Sequence, residues 1–253
     1  MTNVLWAGLV LLLVSALTGR IFLAGLGWLF FGMYWLNLPY HYLEIRDYFN
    51  VALVIVAALF SFYLAWIILA RGRDLLACAW VSYAASICGF VYFPFAEIAP
   101  LKIWLIGKTT LLTAELLETT GVPVTMASWN ILALNDHSVE IILACTSIES
   151  IALFTGLILS VKAPLRRKLV ALTSSVPVIY LLNLIRNAFV VVAYGKEWFG
   201  DGSFYVAHNV ISKFGSMLVL FLIAYLVFSV LPELLELIDE LAMEIRRPGG
   251  DAA

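Results

Sequence analysis

The chain has 253 residues, of which 63% are hydrophobic and 13% charged, with a formal net charge of -2 and a mean hydropathy of +1.00. This composition excludes a soluble domain and points to a helical membrane protein; the apolar runs are long and continuous rather than alternating, which excludes a barrel. A small negative net charge also argues against nucleic acid as a partner.

In chain order, the first apolar run, Val4–Leu17, is short for a full span and ends at Thr18-Gly19-Arg20. No basic segment precedes it, so it reads as a helix and not as a cleavable signal. The second run, Ile21–Leu38, is closed by Pro39, and Tyr40–Asn50 reads as a polar, aromatic loop at headgroup depth. A third span covers Val51–Ala70, followed by an Arg71-Gly72-Arg73 turn, and a fourth covers Leu75–Phe93. Between Pro94 and Val139 the charges Lys102, Lys108, Glu115 and Glu118 interrupt Leu101–Leu117, which predicts an amphipathic helix in the interface. Two β-like pieces follow, Val122–Thr125 and Asn130–Glu140, with a turn signal at Asn135-Asp136.

The stretch Glu140–Ser160 reads as a membrane-spanning helix, yet its first half holds Cys145, Thr146, Ser147 and Glu149. Polar groups facing lipid are costly, so this polarity predicts a site on a wet cavity between helices. Lys162–Lys168 is the strongest basic cluster, which the positive-inside rule puts in the cytoplasm. A sixth span, Leu169–Tyr194, is broken by Pro177 and carries Asn183 and Arg186 near its far end. A polar loop, Gly195–Ala207, leads to the last span, His208–Leu231. The tail, Pro232–Arg247, sets Leu234, Leu235, Leu237, Ile238, Leu241 and Ile245 on one stripe, an amphipathic helix.

The fold expected is therefore an all-α polytopic bundle of about seven transmembrane helices. Residues 1–231 form one membrane domain with a small β-hairpin-like outer cap at 94–139, and 232–253 form a cytoplasmic helix and tail. Counting crossings from the basic cluster puts residues 71–73 and the C-terminus inside and the cap outside. It puts the N-terminus outside if the first run spans.

This topology brings three residues to one depth. Cys145 lies about 6 Å into its helix, Arg186 has climbed about 26 Å from Leu169 at 1.5 Å per residue, and His208 opens the last helix on the outer side. A thiol, an imidazole and a guanidinium suit acyl transfer: the imidazole takes the thiol proton, and the guanidinium holds a developing oxyanion or the substrate carbonyl. Glu149, placed one turn below Cys145, can pair with Arg186 or orient His208, and Asn183 shares a helix face with Arg186. Cys78 and Cys88 read as packing thiols without metal spacing, so neither metal nor cofactor is expected. His41 and His137 fall in outer loops with no partner spacing. Two other classes share these residues. One is a small transporter or channel using Glu149 and Arg186, and the other is a plain membrane cysteine protease with water as acceptor.

The segments A-C-T-S-I at 144–148, N-L-I-R-N at 183–187 and A-H-N at 207–209, in that order on successive spans, resemble the exosortase and archaeosortase family of membrane transpeptidases. The resemblance covers residues 50–231, and the wording around Cys145 is closer to archaeosortases. It implies a cysteine enzyme acting on the extracytoplasmic side of the membrane. Its substrates would be secreted proteins ending in a sorting signal: a short motif, a hydrophobic helix and a basic tail. Cys145 would form a thioester, which a second nucleophile, a membrane lipid in archaea, resolves. By the same resemblance Cys145 matches the nucleophile, Arg186 the arginine of the site and His208 its third member. Many members read Cys-[Ser/Thr]-Gly where this chain has Ser147, and some archaeosortases carry Arg where it has His208.

Overall fold

The computed structural model describes residues 2–44, 46–71 and 76–246. The turn at 71–73, beyond the helical backbone of Arg71, and the end of the tail at Arg247 lie outside the described residues. In chain order the elements are α1 (Thr2–Thr18), α2 (Ile21–Leu36), α3 (Pro39–Glu44), α4 (Tyr48–Arg71), α5 (Leu76–Glu97) and α6 (Ala99–Thr119). Strands β1 (Thr125–Ser128), β2 (Ile131–Leu134) and β3 (His137–Glu140) follow, then α7 (Ile148–Ser160), α8 (Leu165–Gly195), α9 (Ser212–Val230) and α10 (Glu233–Arg246). Among the described residues, five stretches are long and apolar enough to cross a bilayer: Ile21–Glu44, Tyr48–Ala70, Leu76–Glu97, Leu165–Gly195 and Tyr205–Val230. Thr2–Thr18 and Ile148–Ser160 are apolar but shorter.

The chain divides into two units. The first comprises residues 1–90, 159–162 and 232–253. Here α1 buries Leu5, Gly8, Leu9, Leu12 and Ser15, a stripe repeating every three or four residues. A Cβ on Gly8 would stand 3.1 Å from the Gly27 carbonyl, so glycine lets the α1 and α2 backbones approach closely, as small residues do between membrane helices. Trp28, Leu64, Ile67, Ile68 and Cys78 form the centre of this unit, where Cys78 is the packing thiol expected of it. The Trp28 indole donates to Ser82 Oγ at 2.8 Å and so satisfies a buried polar atom. The tail helix α10 docks here: Leu234 is fully buried, Leu241 packs on the same core, and the Tyr63 hydroxyl donates to the Ile245 carbonyl at 2.8 Å. Leu235 and Ile238, two members of the expected stripe, remain exposed.

The second unit comprises residues 91–158 and 163–231. Helix α6 packs on α8 through a face that includes Thr109, Thr110 and Thr113, all fully buried. Their hydroxyls are satisfied: Thr110 donates to the Ile106 carbonyl at 2.9 Å, Thr113 to that of Thr109 at 2.7 Å, and Thr109 Oγ1 lies 3.3 Å from the Tyr180 hydroxyl. The three strands form an antiparallel meander, β1-β2-β3. Strands β2 and β3 pair Leu134 with His137 and Leu132 with Val139 across the Asn135-Asp136 turn, where Asn135 takes a positive φ of 55° suited to a two-residue hairpin. The inner side chains Leu132, Leu134, Val139 and Ile141 join Ala188, Val190 and Val191 of α8 in one buried cluster. The fit is close at the end of α8. A Cβ on Gly195 would stand 2.7 Å from Leu134, and Asn135 Nδ2 donates to the Gly195 carbonyl at 2.6 Å.

Several expectations are corrected. The cap holds three strands, the first at Thr125–Ser128, because a second turn at Trp129-Asn130 splits the expected pieces differently. Residues 40–44, the start of the expected loop Tyr40–Asn50, belong instead to helix α3. Helix α8 runs unbroken for 31 residues through Pro177 and starts at Leu165, so Arg166, Arg167 and Lys168 lie in its first turn rather than in a loop. The proline is tolerated because it removes one backbone bond from a helix held by packing on both sides of it. The last span begins before His208, in a π-helical stretch, Tyr205–Ile211, that continues into α9. The largest correction concerns Glu140–Ser160. Glu140 pairs with Ile131 in the sheet, and α7 begins only at Ile148, 13 residues from its end.

Candidate active site

Because β3 commits Glu140 to an extended backbone, the chain reaches α7 through a short connection. Asn130, 8% exposed, holds the start of that connection: its side chain donates to Glu140 Oε1 at 3.0 Å and its carbonyl accepts from the Ile141 N–H at 2.8 Å. A 3₁₀ turn, Leu143–Cys145, follows. Thr146, fully buried, closes it by donating its hydroxyl to the Leu143 carbonyl at 2.7 Å. Ser147 then takes a φ of 57°, and its carbonyl accepts the first bond of α7, from Ile151 N–H at 3.0 Å. That left-handed conformation favours glycine. It explains in physical terms why the related Cys-[Ser/Thr]-Gly wording has glycine at this position.

Cys145 is 7% exposed, and its carbonyl is clamped from α8. Asn183 Nδ2 donates to it at 2.7 Å and Asn187 Nδ2 at 2.9 Å. The two carboxamides are four residues apart and so share one helix face. Arg186 lies on the same turn and reaches Asn187 Oδ1 at 3.4 Å, a long bond that leaves most of its five N–H donors for a ligand. The site lies eight residues before Gly195, about 12 Å along α8 from the sheet-capped end.

His208 comes from the π-helical stretch. With Cys145, Asn187, Val139, Glu140, Ile141, Val190 and Phe204 it lines a cavity of about 20 Å³. The Phe204 ring stacks on the imidazole, centroids 5.2 Å apart and 9° from parallel, which fixes the ring plane. From Phe204 a line of rings continues through Tyr194, 5.3 Å away, to His137, 4.4 Å further, whose Nε2 lies 3.3 Å from Glu197 Oε1. His137, for which the sequence offered no partner, therefore has two.

Cys145, Asn183 and Asn187 are thus joined by hydrogen bonds, and His208 lines one cavity with Cys145 and Asn187, whose lining does not include Asn183 or Arg186. Glu149 is not brought in. Since Cys145 precedes α7, the two are not one helical turn apart, and Glu149 is exposed without a hydrogen bond or ion pair among the described residues. A carboxylate in the first turn of a helix is favoured by the helix dipole, which accounts for it structurally. Asn187, Asn130 and Phe204 were missed. The four-residue spacings of Asn183 to Asn187 and Phe204 to His208 were the available signals, and Asn130 gave none because its partners come from strand pairing.

Fold and site define a polytopic membrane protein in which a buried cysteine and a histidine line one cavity beneath a small sheet. Residues 3–229 match the family described as transmembrane exosortase, and the chain belongs to that family. It is 34% identical over 250 residues to archaeosortase A of Haloferax volcanii, covering 84% of this chain and 81% of that protein. It is 27% identical over 258 residues to archaeosortase A of Natronomonas pharaonis, covering 90% of this chain and 81% of that one. No solved structure matches it.

Proposed function

We propose that the chain is a membrane-embedded cysteine transpeptidase of the archaeosortase kind, which cleaves the C-terminal sorting signal of secreted proteins and passes them to a lipid or other surface acceptor. The observation that carries the reading is the shared cavity of Cys145 and His208, walled by Asn187. His208 takes the thiol proton, and the Cys145 thiolate adds to the carbonyl carbon of the scissile peptide bond. The Arg186 guanidinium donates to the carbonyl oxygen as negative charge develops there. The C–N bond then breaks, the amine leaves with the proton held by His208, and the acyl group stays on Cys145 as a thioester. An acceptor hydroxyl gives its proton to His208 and attacks the thioester, and the thiolate departs and is reprotonated.

Asn183 and Asn187 position the Cys145 backbone, and Thr146 and Ser147 shape the turn that presents the thiol. Glu149 has no part in this chemistry. The site faces the extracytoplasmic side, with the sheet as its outer cover, and the two shorter apolar helices bring the crossings to about seven if they tilt or are matched by a thinned bilayer.

The test compares C-terminal peptides of surface proteins, by mass spectrometry, from membranes carrying the wild-type chain and from those carrying Cys145→Ala. Cleaved C-termini with an added lipid mass, lost in the variant, are expected. Cleavage without added mass would make the chain a protease, and identical intact C-termini in both membranes would overturn the reading.

A further inference from the structure

Strand β3 lies at one end of the order β1-β2-β3, so only one of its edges is paired. Which backbone groups face the other edge follows from the register. The Ile141 N–H donates to the Asn130 carbonyl at 2.8 Å, toward β2. Backbone polar groups alternate sides along a strand, so those of His137 and Val139 also face β2 and those of Ser138 and Glu140 face away. Neither Ser138 nor Glu140 makes a further backbone hydrogen bond among the described residues. The extended backbone continues to Ile142, at φ -113° and ψ 174°, which turns a third N–H outward before the Leu143–Cys145 turn. The side chains of Ser138, Glu140 and Ile142 are exposed.

Two observations say what this edge receives. The edge runs into the site: Val139, Glu140 and Ile141 line the cavity of Cys145 and His208, and every residue concerned belongs to the second unit. That cavity, about 20 Å³, has room for one water-sized group, so it admits a carbonyl and excludes a side chain. Whatever carries the carbonyl therefore lies along the rim. The rim offers donors and acceptors two residues apart, a spacing that an extended peptide backbone matches and a lipid headgroup does not. Nor is this edge shielded in the usual ways. It holds no proline or lysine, and its one charged side chain is drawn back over its own sheet, where Asn130 Nδ2 donates to Glu140 Oε1 at 3.0 Å.

We propose that the free edge of β3 binds the extended backbone of the chain being cleaved as an added strand, which carries the scissile carbonyl past Ile142 to Cys145. This rests on the cysteine chemistry proposed above and adds a recognition step that reads main chain rather than side chains. In such a strand every second residue turns its N–H and C=O toward β3, so recognition has a period of two residues along the substrate.

The experiment uses the full chain in detergent micelles and acetyl-tetraalanine chloromethyl ketone, which needs no particular sequence: the Cys145 sulfur bonds to the probe's methylene carbon and chloride leaves. The rate of mass gain at Cys145, divided by that with iodoacetamide, is read for this probe, for its monoalanine counterpart and for tetraalanine probes N-methylated at one residue each. The tetraalanine probe is expected to react faster than the monoalanine one. N-methylation should slow it about 2- to 13-fold per lost hydrogen bond at alternate residues and leave those between unaffected. Ser138→Pro, which removes an outward N–H and no bond to β2, should slow the tetraalanine probe by a similar factor. A rate independent of probe length overturns the edge, as does equal slowing by N-methylation at adjacent residues, and neither result depends on the proline variant folding. Period-two labelling without any Cys145-dependent cleavage of surface proteins keeps the edge and removes the sorting reading. Cleavage of surface proteins with labelling blind to length and N-methylation does the reverse.

Discussion

The clamp on Cys145 makes a non-additive prediction. One carbonyl, on a residue only 7% exposed, accepts from Asn183 at 2.7 Å and from Asn187 at 2.9 Å. Replacing either asparagine by alanine removes one neutral hydrogen bond, about 0.5–1.5 kcal/mol, and leaves the carbonyl paired by the other. Replacing both leaves a buried acceptor with no partner, a further penalty of about 1–3 kcal/mol. Asn183→Ala/Asn187→Ala is therefore expected to exceed the sum of the singles by at least about 1 kcal/mol. Reversible unfolding in mixed micelles supplies the four stabilities of the cycle.

The same loosening acts on chemistry, since a misplacement of about 1 Å at a reacting group costs up to about 100-fold in rate. Single-turnover cleavage of a reconstituted substrate should fall more in the double variant than in either single, with KM changed less than kcat. Asn187→Asp, of nearly equal size but with no side-chain donor toward the carbonyl, should be no better than Asn187→Ala. Stabilities additive to within about 0.5 kcal/mol, together with wild-type turnover in the double variant, would show that the carboxamides do not act on a common acceptor.

Two further outcomes follow from the turn and the ring stack. Ser147 stands at φ 57°, a conformation costing an L-residue about 1–2 kcal/mol, while glycine gives up about 0.5–1 kcal/mol of chain entropy. Ser147→Gly should therefore hold or raise the thermal midpoint and keep activity, and Ser147→Val should lower both; a stable, active valine variant refutes the strain. Phe204 stacks on His208, a contact worth about 0.5–1.5 kcal/mol, so Phe204→Leu should lower kcat about 2- to 13-fold, with Phe204→Trp close to wild type. Unchanged kcat in the leucine variant would mean that the imidazole is oriented by other contacts.

Much of this protein is local and was readable as such. Apart from the one expected from Glu140, the apolar runs became helices within a few residues of their expected ends, because a continuous apolar stretch in lipid satisfies its backbone only within itself. The Asn135-Asp136 turn was visible because its chemistry sits in two adjacent residues, and the three short segments around Cys145, Arg186 and His208 were sufficient to indicate the family. What the sequence did not disclose depends on partners far along the chain. The stretch from Glu140 is as apolar as a spanning helix, and nothing in it announces that Glu140 pairs with Ile131 and forces an extended entry, so Cys145 sits in a turn and not in a helix. Threonines Thr109, Thr110 and Thr113 are buried because α8 covers them, and Pro177 lies inside an unbroken helix because packing outweighs one missing bond. Composition and periodicity thus determined the membrane class and most of the helices, and three short segments indicated the family. Tertiary structure alone decided where the thiol is held and by what, since a hydrogen bond to a carbonyl 38 or 42 residues away is set by the fold and has no signature in the residues between.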